Sequence, residues 1–380
     1  MEYNYSSQIR LILSDIFKEA IAERAFPGGV VWLANPTGIV AHEAFGTKTY
    51  EAVDGAAWSG LVERNTIYDI ASLSKLFTAT AFLIAARAAG VQVEAPLTRF
   101  LPQFATTDKQ AITLRQLLNH SSGIEIAIQS FTKTPTIEGP VASLHRGFVP
   151  TEQWVERIAA ARLKTPPGES VLYSCTNYFL LARVTEMLSG ERLDKFISHE
   201  IFEPLGMQRT SFTPLEDFPA RAIAPTEIYV GTNEPWHGVV HDEAARTWQQ
   251  ETGGACGNAG VFATAEDLSR FTQLWLDAGQ GNGCQILHAE DVHQAFNDTV
   301  PEDDIRRGWC WQIDAYGYMS ETAPPHSAGH TGFTGPTLWL NPPTRHVAII
   351  LENRVYPTRN GPNRMGYHRR IAEWLLEQPV

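Results

Sequence analysis

The sequence predicts an α+β fold: one antiparallel sheet made from the two ends of the chain, flanked by helices, with a mainly helical lobe inserted between them. Three observations carry this. Apolar and β-branched runs cluster near both termini, helical periodicities fill most of the middle, and Gly, Pro and Asn turns join strands that are adjacent in sequence. With 380 residues the chain can bury a large core. The expected division is residues 1–75 and 255–380 for the sheet-bearing lobe and 76–254 for the helical lobe, with the active site between them.

Ile9, Ile12, Leu13, Ile16, Phe17 and Ala20 recur at helical spacing and predict a helix over 7–24, stopped by Phe26-Pro27-Gly28-Gly29. Gly29–Ala34 and Ile39–Gly46 then form a hairpin around Asn35-Pro36-Thr37-Gly38. Helical patterns follow at Ile112–Asn119, Thr151–Leu163, Asn177–Ser189 and Arg192–Ile201, separated by Pro/Gly loops. Residues 213–262 read as loop-rich, and Thr264-Ala265-Glu266-Asp267 matches a capping box that opens a helix to about Ala278. Strands return at Gly308–Ile313, Gly335–Leu340 and His346–Asn353, before a closing helix from Asn363 to Glu377.

The formal net charge is −12 and no Lys/Arg cluster stands out, which argues against nucleic acid as a partner. Cys175, Cys256, Cys284 and Cys310 have neither Cys-x-x-Cys spacing nor a His pair beside them. A metal site is therefore not expected, nor is any cofactor, and the cysteines read as free thiols of a reducing compartment. The first residues lack the pattern of a secretory leader, and the longest apolar run, Leu76 to Ala89, is interrupted by Thr78, Thr80 and Arg87. The expectation is a cytoplasmic protein with no membrane partner.

Ser72-Leu73-Ser74-Lys75 opens that apolar run. A serine three residues before a lysine at a helix start places both side chains on one face, within reach of each other. The helix dipole favours a serine alkoxide there, and an apolar surround would help the lysine shed its proton. Taken alone, the pair reads more readily as an N-cap and a surface lysine, since short motifs match by chance. Other residues have similar double readings. His120, at a helix end before Ser121-Ser122-Gly123, reads as structural, and His241-Asp242-Glu243 as a loop-fixing cluster. Trp309 and Trp311, two apart on an expected strand, would share one face as core or cleft wall.

Three segments in order decide the matter: Ser72-x-x-Lys75, then Tyr173-Ser174-Cys175-Thr176-Asn177-Tyr178, then Gly329-His330-Thr331-Gly332-Phe333-Thr334-Gly335. Together they resemble the serine β-lactamase and penicillin-binding-protein superfamily, on the class C branch with its family VIII-type esterases and D-amino-acid peptidases. Supporting stretches are Leu114 to Ile124, Pro204-Leu205-Gly206-Met207, Gly257 to Leu268 and Asn353 to Arg359. Residues 47–65, 125–149 and 213–252 carry little of the signal. The resemblance implies a β-lactamase/transpeptidase-like fold. It implies Ser72 as acylated nucleophile, Lys75 as the group that takes or shares its proton, and Tyr173 as proton relay. The backbone N–H groups of Ser72 and Phe333 would form the oxyanion hole, with His330 where many relatives have lysine. Cys175, Thr331, Gly332, Asn353 and Arg354 would contact substrate.

Two departures bear on substrate. Cys175 stands where β-lactamases and D,D-peptidases have an asparagine that grips the substrate's acylamino carbonyl, and the esterase branch commonly has an apolar residue there. His330, which can be neutral, is a weaker anchor for an anion than lysine. The resulting expectation is a serine hydrolase of small carboxylic esters or amides acting through acyl-Ser72. An acyltransferase is the alternative; a β-lactamase, a D,D-peptidase and a sensor that acylates once are further ones. The substrate itself and the oligomeric state are left open.

Overall fold

The computed structural model describes residues 2–132, 148–229, 231–297, 300 and 306–378. Residues 133–147, within the 125–149 stretch that carries little of the resemblance, lie outside them. The chain opens with helix α1 (Glu2–Ala22) and the hairpin β1 (Gly28–Asn35) and β2 (Gly38–Gly46). The sheet is completed far along the chain by β3 (Gln312–Ile313), β4 (Ala328–Thr331), β5 (Thr337–Asn341) and β6 (His346–Glu352). The six strands lie in the order β2-β1-β6-β5-β4-β3, every pair antiparallel. The N-terminal hairpin joins the C-terminal strands through β1 and β6, with Val30 opposite Leu351.

Both faces of the central strands are buried, which is why they read as continuous apolar runs rather than alternating ones. Val31, Leu33, Trp339, Ala348 and Ile350 face α1 and the closing helix α9 (Met365–Leu376). The alternate residues Val30, Trp32, Leu338, Leu340, Ile349 and Leu351 belong to a larger core that reaches into the helices of the middle of the chain. Those helices are α2 (Ser74–Ala88), α3 (Leu114–Leu118), α4 (Trp154–Ala160), α5 (Cys175–Ser189), α6 (Leu193–Ile197), α7 (Glu243–Thr252) and α8 (Ala265–Leu276). Helix α2 is buried on nearly every side and packs on α5. A core leucine or phenylalanine in such a position contributes about 1.5–3 kcal/mol by its burial.

Three expectations change here. Gly308–Ile313 is not a strand beyond Gln312–Ile313, because Cys310 has φ 64° and the Gly308 N–H turns back to the Trp311 carbonyl at 3.0 Å. Trp309 and Trp311 therefore do not share a strand face; both are buried, Trp311 against Trp275 at 5.4 Å. The stretch 213–262 is not only loop: it holds α7, whose apolar face is only Ala244, Ala245 and Trp248 and whose remaining buried residues include Glu243 and Arg246. At Thr264 the cap forms, with its side chain accepting the Asp267 N–H at 3.2 Å, but the reciprocal bond does not. The Asp267 carboxylate is taken instead by the Arg209 N–H and the Thr210 hydroxyl.

Candidate active site

Ser72 lies in a single 3-10 turn, Ala71–Leu73, immediately before α2. The turn is strained at Ala71, φ 45°, a conformation costing about 1–3 kcal/mol and held only where surroundings impose it. What imposes it is Asp69, whose carboxylate accepts the Ala71 N–H at 2.8 Å and, on its other oxygen, the His241 N–H at 2.8 Å. One turn after Ser72, at the second residue of α2, Lys75 is fully buried, and its Nζ donates to Ser72 Oγ at 2.9 Å and to the Asn258 carbonyl at 2.8 Å. Burial alone would push this ammonium's pKa down. The Cys175 thiol, the hydrogen-bonded Tyr173 phenol and the Asp242 carboxylate act the other way, and the net direction is upward. That corrects the expectation of a lysine eased towards its neutral form: polar groups, not an apolar surround, close around it.

Tyr173 precedes α5 and is 43% exposed. Its backbone is held on both sides by one residue: the Leu172 N–H donates to the His120 carbonyl at 2.8 Å, and the Ser174 N–H to His120 Nδ1 at 3.1 Å. The His120 ring also lies against the Tyr173 ring, centroids 4.5 Å apart. His120 is thus structural, as its sequence context suggested, but what it structures is the tyrosine. Because Nδ1 accepts, Nε2 carries the ring proton, and burial with Arg307, Lys75 and His330 nearby holds His120 neutral, well below the usual imidazole range.

His330, on β4, reaches the same cluster, its ring 6.0 Å from that of Tyr173. Strand β3 pairs only with Ala328 and Gly329, so His330 and Thr331 extend past it at the rim of the sheet. His330 Nδ1 lies 2.9 Å from the Thr331 carbonyl, which can only accept, so Nδ1 bears the proton and Nε2 the lone pair. Burial, then Arg307 and Lys75, push its pKa well below the ordinary value. A limb near the reference value of about 6.5 is therefore not expected from His330.

These side chains open on one cavity of about 650 Å³. Ser72, Tyr173, Cys175, His330, Thr331, Gly332, Phe333 and Arg354 all line it. Asn353 does not. It is buried, and its amide donates to the Lys48 carbonyl at 2.9 Å and the Pro225 carbonyl at 2.8 Å, so it ties two loops together and has no donor left for a substrate. Arg354 stays at the cavity, its Nε donating to the Phe333 carbonyl at 2.9 Å and its guanidinium lying 4.7 Å from the Phe333 ring centroid. Phe333 is 49% exposed, and its N–H, like that of Ser72, has no acceptor among the described residues.

Arg307 belongs to none of the motifs. It is 7% exposed, lines the cavity, and stands 5.3 Å from the Tyr173 ring centroid. Its Nε and Nη1 have no acceptor among the described residues. The acidic residues at and beside the His241–Glu243 part of the cavity are each answered by a described partner. Glu227 accepts from Arg359 Nε at 2.7 Å and lies 3.1 Å from His241 Nε2, and Arg359 also reaches Glu243 at 2.8 Å. Asp242 caps α7 through the Ala245 N–H and takes amide donors from Gln129 at 2.8 Å and Asn258 at 3.1 Å. The His241-Asp242-Glu243 run is indeed loop-fixing, and it also forms a cavity wall.

The arrangement is that of the β-lactamase/transpeptidase-like fold. A structure described as "EstCE1, a hydrolase with promiscuous acyltransferase activity" superposes with TM-score 0.74 at 18% identity, covering 97% of this chain and 99% of that one. A class C β-lactamase does so with TM-score 0.72 at 15% identity, covering 98% and 97%. An Escherichia coli O157:H7 protein with the provisional name D-alanyl-D-alanine carboxypeptidase is 29% identical over 353 residues, 87% of this chain and 78% of the relative. Residues 13–373 match the family described as Beta-lactamase, and the chain belongs to that family of serine hydrolases. The resemblance read from the three motifs, and the fold it implied, both hold.

Proposed function

We propose that the protein hydrolyses small carboxylic esters, and amides more slowly, through an acyl-Ser72 intermediate. The observation that supports this reading above the others is the cavity lined by Ser72 and Tyr173, with Lys75 buried behind Ser72 and Cys175 at the wall, a weak donor in place of a side-chain amide. In acylation Ser72 Oγ bonds to the ester carbonyl carbon. An ammonium cannot accept the serine proton, so the Lys75 Nζ contact orients Oγ and the proton is relayed through the Tyr173 hydroxyl. The carbonyl oxygen takes the negative charge and is received by the free N–H groups of Ser72 and Phe333. The bond to the alcohol then breaks, and Tyr173 returns the proton to the departing oxygen. In deacylation Tyr173 takes a proton from water, the hydroxide adds to the acyl carbon, and Ser72 leaves with its proton restored.

Acyl transfer is the second reading, and the cavity's size favours keeping it. About 650 Å³ is room for an acceptor alcohol beside the acyl group, and the structural neighbour EstCE1 is described as having promiscuous acyltransferase activity. A panel of p-nitrophenyl esters of rising chain length, run beside a chromogenic cephalosporin, tests the proposal. Faster turnover of short esters supports it, and preferential turnover of the cephalosporin overturns it. An added alcohol that diverts the acyl product away from the acid would show transfer.

A further inference from the structure

Beneath the turn that carries Phe333 lies a pair of charges that the reaction scheme does not use. Glu352, the last residue of β6, is fully buried, and Arg364, the cap of α9, is nearly so. Arg364 Nε is 2.7 Å from Glu352 Oε1. The same guanidinium holds the turn at both ends: Nε donates to the Gly335 carbonyl and Nη2 to the Gly332 carbonyl, each at 3.0 Å. The turn is closed internally by Gly335 N–H to the Gly332 carbonyl at 3.1 Å and Gly332 N–H to the Pro336 carbonyl at 2.7 Å. It fits onto the pair with no room to spare. Gly335 has φ 144°, and a Cβ there would run into the Glu352 carbonyl and carboxylate.

We propose that Glu352 and Arg364 are positioning residues: the carboxylate keeps the guanidinium buried, the guanidinium fixes the Gly332–Gly335 turn, and the turn aims the Phe333 N–H at the carbonyl oxygen of the substrate. This rests on the reading of the Ser72 and Phe333 amides as the oxyanion hole. Neither charged residue touches the reacting atoms. Their effect is on where a donor stands, and a misplacement of about 1 Å costs on the order of 100-fold in rate.

The clamp depends on charge. The groups facing Glu352 are Arg364 and His368 from α9, Arg354 just beyond β6, Tyr68 beside the Ser72 turn and Tyr50 after β2. His368 is held neutral by burial and by Arg364. Burial pushes the Glu352 carboxyl up to about 7, against the pull of Arg364 and Arg354. Above that pH both partners are charged and held by the ionic contact, the Nε hydrogen itself going to the Gly335 carbonyl. Below it Arg364, which also lines the cavity, has lost its anion and is drawn towards solvent, releasing both carbonyls.

Hydrogen exchange over residues 329–337, corrected for intrinsic rate, tests this together with kcat and KM on an ester. In the wild type the turn amides should lose protection between about pH 8 and about pH 6 while those of β1 do not. Glu352→Gln and Arg364→Lys should each expose the turn at about pH 8, make its exchange independent of pH over that range, and lower kcat about 10- to 100-fold with KM nearly unchanged. Equal protection of the wild-type turn at both pH values, or variants with wild-type exchange and kcat, would overturn the proposal. If the wild type neither turns over esters nor acylates Ser72, the functional reading fails; the exchange arm still decides whether the clamp exists.

Discussion

The two walls of the cavity are built on opposite electrostatic plans. Around Tyr173 stand Lys75 and Arg307, two buried cations with no carboxylate bonded to them among the described residues, and His120 and His330, both held neutral. At the other charged part of the cavity region Glu227, Asp242 and Glu243 are each answered by Arg359, His241 or amide donors. A buried cation without an anion bonded to it is costly, so Arg307, whose Nε and Nη1 have no acceptor among the described residues, is arranged for negative charge that arrives later, on substrate or transition state. The paired wall holds shape. Mutations should therefore separate the walls: changes on the first lower activity more than stability, and changes on the second do the reverse.

The largest effect is expected at Lys75. Lys75→Met should lower kcat by about 10⁴-fold or more, nearly as much as Ser72→Ala, and the double variant should be little worse because the two act as a unit. Additive losses in a kinetic cycle would break the assignment of both to one wall.

The sharpest contrast comes from Arg307→Met beside Glu227→Gln. Removing this cation, unpaired at Nε and Nη1 among the described residues, should raise the unfolding midpoint while lowering kcat/KM about tenfold or more on esters that carry a carboxylate. Glu227→Gln should lower stability by about 2 kcal/mol and spare kcat, because charge-assisted bonds to Arg359 and His241 are weakened. Burial works against Glu227's charge, but the bonds from His241 and Arg359 bring its pKa down to about 2. Its folded value lies below its unfolded one, so its contribution is complete above the ordinary Glu range and is lost as pH falls towards 2. Denaturant melts at several acid pH values check this: the variant should show the shallower acid dependence. Equal behaviour of the two variants would erase the distinction between the walls.

A smaller effect concerns pH. His330 is already neutral well below its reference value, so His330→Asn should leave the acid limb of kcat/KM where it is in the wild type. A limb that moves would return this histidine to the titration. The smallest is Cys175→Asn, which supplies a donor worth about 0.5–1.5 kcal/mol and should raise activity on cephalosporins or acyl-D-amino acids about three- to tenfold, with short esters within a few-fold. If both substrate types lose activity together, Cys175 fills space behind Tyr173 rather than selecting substrate.

How legible each part was follows from how local its cause is. Strands β1, β5 and β6 stood out because burial on both faces demands unbroken apolar runs, and the N-terminal helix because one of its faces packs on the sheet. Strand β4, Ala328-Gly329-His330-Thr331, has no such run and could be found only through its motif. Ser72, Lys75 and Tyr173 were readable for the same reason. Arg307, His120 as the holder of Tyr173, and the Glu352–Arg364 pair were not, since each acts on residues distant in sequence and has no pattern of its own. Asn353 shows the converse: its motif pointed to substrate, but its donors are used up in joining the loops at Lys48 and Pro225.

The central claim is that this wall acylates Ser72. Incubation with a p-nitrophenyl phosphonate, followed by peptide mass spectrometry, tests it most directly. The account predicts one adduct, on Ser72, formed in step with loss of esterase activity and absent from Ser72→Ala. An adduct on another residue, or ester turnover that persists at the wild-type rate in Ser72→Ala, would contradict it.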